Sequence, residues 1–169
     1  MNERTLEVLE YCRVREEISG LCMSEEGKES FLATVPATDA GEIARLKSFG
    51  RAWLAALSSE EPPRVLGWNG AGPLLSRLRV EGASLECGEL FELGRFCRSV
   101  AELREWGGSR ARKERSGQRG VMATVGASDA VLVEFTSGLP DLSDAEARIA
   151  QVVDRETGEV SDLPELRAI

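Results

Sequence analysis

The sequence predicts a mainly α fold, an irregular helical bundle with a short β-hairpin near the C-terminus. Three observations carry that expectation. Apolar residues recur at helical steps through most of the chain, N-cap signatures stand at the heads of several of those runs, and the runs read as strands are two short ones beyond residue 130. With 169 residues, 42% of them hydrophobic, the chain has enough apolar material for a core.

From Thr5 to about Cys22, Leu6, Leu9, Val14, Ile18 and Leu21 recur at three- to five-residue steps with Glu and Arg between them, as in one amphipathic helix. A second, shorter helix is expected from Ser24 to Ala33, closed by Pro36, which pushes its neighbour out of the helical region. Asp39 and Glu42 have capping-box spacing and open a helix through Ile43, Leu46, Trp53, Leu54 and Leu57 that EEPP terminates. The segment GWNGAG, residues 67–72, lacks the Gly-Lys-Ser/Thr ending and the preceding strand of a phosphate-binding loop, so it reads as a turn with Trp68 filling the core. Pro73 starts a short helix through Leu74, Leu75 and Leu78 that ends near Gly82. Ser84 then opens the best-patterned helix, with Leu90, Leu93, Cys97, Val100 and Leu103 on one stripe up to Trp106, where a double glycine reads as the stop.

GGSRARKERSGQRG, residues 107–120, has no apolar periodicity and reads as a flexible basic loop. Val131, Leu132, Val133 and Phe135 form a run rich in strand formers and too short for a helix. Ser143 and Glu146 make a capping box for a helix through Ala150, and Val152, Val153 and Val160 flank DRETGE as a hairpin whose turn Gly158 permits by taking positive φ. The domain expectation is a helical core at 1–106, a basic loop or insertion at 107–130, and a strand, short helix, hairpin and helix root at 131–169. SDLPELRAI, residues 161–169, reads as that root: Asp162 as N-cap, Pro164 in the first turn and Glu165 in capping-box position.

Composition narrows the function. The net charge of −8 argues against a surface built throughout for nucleic acid, and the one local positive excess lies in residues 107–120. Arg110, Arg112, Lys113, Arg115 and Arg119 have the charge and reach to track a phosphate backbone, although no aromatic residue is interleaved to stack on bases; a solvated linker has the same composition. No apolar run approaches a membrane span, and MNERTLEVLE carries charge where a signal peptide is apolar, so a cytoplasmic protein without a membrane partner is expected. Cys12, Cys22, Cys87 and Cys97 read as reduced, buried structural thiols, and the chain has no histidine to complete a zinc site. Glu86, Glu89 and Glu92 share a helix face and read as solvated rather than as a cation site. Without histidine, a Walker motif or a nucleophile beside a base, no catalysis, cofactor or metal is expected of this chain itself.

IAQVVDRETGEVSDLPELRAI, residues 149–169, resembles the segment just before the long lever helices in the second bacterial family of MutS paralogues. That family shows an Ile or Val run, an Asp, a short turn ending Gly-Glu-Val and then Pro-Glu-Leu-Arg; here these are Val152, Val153, Asp154, Gly158, Glu159, Val160, Pro164, Glu165, Leu166 and Arg167. TLEVLEY, residues 5–11, and SEEGKESFLATVPATDAGEI, residues 24–43, resemble the family's opening motifs. The resemblance implies the N-terminal helical core of a longer, homodimeric ATPase clamp, cut before its lever helices. It further implies ATP and Mg in the parent protein, in some members a C-terminal endonuclease domain, and action on branched DNA to suppress recombination or on stalled ribosomes to rescue them. Two other expectations stand beside it: a free-standing helical adaptor docking through Leu90, Leu93 and Cys97, and a small nucleic-acid binder using the Arg-rich segment.

Overall fold

The structure is a computed structural model that describes residues 3–115 and 126–160. Among the described residues it contains eight helices: α1 (Glu3–Val8), α2 (Tyr11–Ser19), α3 (Glu25–Leu32), α4 (Ala40–Leu57), α5 (Ala71–Arg77), α6 (Cys87–Arg115), α7 (Gly126–Ser137) and α8 (Ser143–Val152). The helical class is therefore as expected. Among the described residues the expected hairpin shows no paired strands: Val153 and Val160 make one isolated antiparallel bridge, with Asp154 N–H donating to the Glu159 carbonyl at 2.8 Å. Gly158 takes the left-handed conformation (φ 73°), and the Asp154 carboxylate accepts from Glu156 N–H, Thr157 N–H and Thr157 Oγ1, which closes DRETGE into a compact turn.

Local signals placed two helix starts correctly. Ser24 Oγ accepts from Gly27 N–H at 3.1 Å ahead of α3, and Asp39 Oδ1 accepts from Glu42 N–H at 2.8 Å ahead of α4. The single helix expected from Thr5 to Cys22 is instead split into α1 and α2 at Glu10, which holds φ 50°. The break falls inside the one five-residue apolar step, Leu9 to Val14, where the pattern loses helical phase. The long helix begins at Cys87 rather than Ser84, with the Glu89 carboxylate reaching back to accept from Glu86 N–H at 2.9 Å.

The chain packs as two compact units. One comprises Met1–Pro36, Leu66–Arg98 and Ser143–Ile169; the other comprises Ala37–Val65 and Ser99–Leu142. Helix α6 contributes residues to both units. In the first, Leu93, Cys97, Ala71 and Val153 are buried. Gly94 lets α8 approach α6, because a Cβ there would stand 2.9 Å from Ile149 Cγ2.

The second unit is built on α4 against α7. Ala52, Ala56 and Leu132 form its core, with Phe49, Trp53 and Trp106 packed around it. Trp53 stacks on Trp106 (6.1 Å, 7°), and Phe135 meets Phe49 edge-on at 5.4 Å. Here two expectations are corrected. The run Val131–Phe135 is helical, because Leu132 and Thr136, one turn apart, are both buried, and burial of a helical stripe outweighs strand propensity. Thr136 Oγ1 returns its proton to the Leu132 carbonyl at 2.8 Å, so the hydroxyl is buried but satisfied. The double glycine does not stop α6 either: the helix runs on to Arg115, and residues 107–115 are not a loop. Gly107 is where Thr136 packs, since a Cβ there would lie 2.5 Å from Thr136 Cβ. Residues 116–125 and the expected helix root at 161–169 lie outside the described residues.

Candidate nucleic-acid interface

The Arg-rich segment is the one site the sequence singles out, and the structure divides its residues. Arg110 and Lys113, three apart on α6, turn toward the chain that follows α4. The Arg110 guanidinium lies 4.8 Å from the centre of the Trp106 ring and donates to Ser59 Oγ at 3.5 Å. Lys113 pairs with Glu61, and Trp106 Nε1 donates to the Glu61 carbonyl at 2.9 Å. The hydrogen bond and charge of Lys113, with a smaller contribution from Arg110, hold the Glu61 carboxyl below its usual range. These two cations therefore fasten α6 to the turn at Ser59–Glu61. Arg112 is exposed on another side of the helix. Arg115 closes α6, its side chain outside the described residues, and Arg119 lies outside them altogether.

The glycine-rich turn cradles anions, but they are the chain's own. Asn69 N–H donates to Glu92 Oε2 at 2.8 Å, and Gly72 N–H donates to Glu26 Oε1 at 2.8 Å. Gly70, at φ 65°, turns the chain into α5 between them. The Gly72 hydrogen bond leads the causes that lower the Glu26 pKa, with Trp68 and Ala71 adding to it against partial burial. Trp68 itself is half-buried, edge-on to Phe96 at 5.3 Å.

The acidic face of α6 is also engaged rather than simply solvated. Glu89 pairs with Arg77, which leads the causes lowering its pKa, and Glu92 holds the turn. The linkage sign is that of a depressed carboxylate: for Glu26, stability is fully present above the ordinary value near 4.5 and is lost as pH falls through the lower folded value. Glu26→Gln is accordingly expected to weaken the first unit near neutral pH and to flatten its loss of stability below about pH 4.5. Urea midpoints measured across that range check it; an unchanged acid slope contradicts the assignment.

One constellation was not foreseen. Glu146 read as half of a capping box, but its carboxylate, 12% exposed, sits between two arginines: Arg155 Nη2 at 2.7 Å and Arg98 Nε at 3.5 Å. Arg98 also donates to the Arg155 carbonyl at 3.3 Å. Nothing local marks Arg98 and Arg155 as partners, 57 residues apart. The stripe proposed for adaptor docking is likewise claimed from within: Leu93 and Cys97 are buried, so that face is core. Of the four free thiols only Cys97 is buried, where burial and then the Glu146 charge raise its pKa; Cys12 and Cys87 are exposed, which corrects the expectation of buried thiols. Among the described residues no cluster of three or more Cys, Asp and Glu is placed to hold a metal, and no helix is long and apolar enough to cross a membrane.

Comparison with curated proteins finds Endonuclease MutS2 of Acetivibrio thermocellus, 29% identical over 106 residues. The match takes in 63% of this chain and spans only 13% of that protein's length. No family model matches the chain, and no solved structure matches it. The similarity supports a relation to the MutS2 family.

Proposed function

We propose that this chain is an N-terminal helical core portion of a dimeric, cytoplasmic MutS-type ATPase clamp, and that its own role is mechanical. The observation that carries the reading is the similarity to Endonuclease MutS2, joined to the family motifs at both ends of the sequence. The packing is compatible with such a role, because ion pairs tie separate parts of the chain together: Glu146 between Arg98 and Arg155, Lys113 on Glu61, Arg77 on Glu89. ATP and Mg bind elsewhere in the parent protein, and the target is branched DNA or the stalled ribosome. Nucleotide binding then biases a two-state clamp through its helices.

The test uses the complete parent protein. ATP hydrolysis is expected to rise on adding a four-way DNA junction or ribosomes, and Glu146→Ala is expected to lower the stimulated rate while leaving the basal rate in place. A parent with no ATPase activity, or a folded variant with unaltered stimulation, contradicts the reading.

A further inference from the structure

We infer that α4 is a docking site for an amphipathic helix whose apolar stripe is flanked by carboxylates, crossing α4 at Gly50. Three independent observations lead there. First, Leu46, Leu54 and Leu57 are 46%, 67% and 56% exposed, and with Ile43 and Gly50 they recur at steps of three and four on one stripe of α4. The helix already buries Phe49, Ala52, Trp53 and Ala56 against its own unit, so this stripe is a second apolar face.

Second, Gly50 stands at the middle of that stripe with Leu46 and Leu54 one turn to either side. A Cβ built there meets nothing within 4 Å, so no packing among the described residues requires glycine. A glycine inside an exposed helix costs about 1 kcal/mol relative to alanine. A residue that weakens the helix and serves no internal contact is explained by a backbone that approaches from outside. Ridges four residues apart, on either side of a small residue, suit an inclined helix–helix crossing.

Third, the flank of the stripe carries Lys47 and Arg51, both exposed and paired with no carboxylate among the described residues, in a chain of net charge −8. In a two-fold dimer with antiparallel α4 helices crossing at this stripe, the cationic flank would face its own copy, like charge against like. Charge complementarity therefore selects a partner helix with acidic flanks over a second copy of this chain.

The probes are two synthetic helical peptides with leucines at i, i+4 and i+7, one flanked by glutamates and its twin by lysines, titrated against the intact chain by calorimetry. The glutamate peptide is expected to bind about tenfold or more tightly than its twin, and Lys47→Glu with Arg51→Glu to reverse that preference. Gly50→Leu, which the open space allows without unfolding, is expected to weaken binding about tenfold with helicity by circular dichroism undiminished. Equal binding of both peptides, binding of neither, or indifference to Gly50→Leu overturns the inference. So does self-association of the free chain that Gly50→Leu abolishes, which would assign the stripe to a second copy.

Discussion

Gly107→Ala is expected to destabilise the second unit by about 2 kcal/mol, while the adjacent Gly108→Ala stabilises it by up to about 1 kcal/mol. Both replacements gain the same helix propensity. They differ in what the new methyl group meets: nothing within 4 Å at Gly108, but Thr136 Cβ at 2.5 Å at Gly107. That atom belongs to the root of a buried side chain, so α6 and α7 must separate, and their separation loosens the core around Leu132, Ala52 and Ala56. Thr136→Ala in the Gly107→Ala chain is expected to recover part of the loss, because the hydroxyl and methyl that crowd the site are removed. Tryptophan fluorescence reads this unit directly through the stacked pair Trp53 and Trp106. Urea midpoints moving the same way for both glycines would show that α6 does not pass Thr136 as described.

Glu146→Ala is expected to cost the first unit about 2 kcal/mol. The carboxylate is nearly covered and faces two cations, so its removal leaves Arg98 with one carbonyl contact and a like charge nearby. Arg98 is 23% exposed and Arg155 is 54% exposed, so the Arg98 side of the triad is expected to dominate. A double-mutant cycle of Glu146→Ala with Arg98→Ala is expected to return a coupling of about 1 kcal/mol, and one with Arg155→Ala less. A cost below about 0.5 kcal/mol for Glu146→Ala would place this cluster among ordinary surface pairs.

What the sequence revealed was what a few neighbouring residues decide. Ser24 and Asp39 cap helices through atoms three residues away, so their spacing alone exposed α3 and α4. The course of α6 through Gly107 was hidden because its reason, Thr136, lies 29 residues on in the chain. The same distance concealed α7: Val131 to Phe135 has the composition of a strand, and only the small residues of α4 across the core make its helical stripe favourable. At the candidate interface, counting charges found the Arg-rich segment but not its division. Lys113 needed Glu61, 52 residues away and brought by tertiary structure, while Trp106, one turn before Arg110, becomes its neighbour only because α6 runs on past the double glycine. The glycine-rich turn shows the converse, since Glu26 and Glu92 supply the anions that its amides hold, and neither is near it in sequence.

The account rests on this chain being the helical front of a MutS-type clamp, and the native reading frame past the codon for Ile169 tests that most directly. The account requires it to continue through long lever helices to a Gly-x-x-x-x-Gly-Lys-Ser/Thr loop, the phosphate-binding signature of the ATPase. A stop codon at that point, or a continuation without the loop, would contradict it and leave the exposed stripe of α4 as the best guide to function.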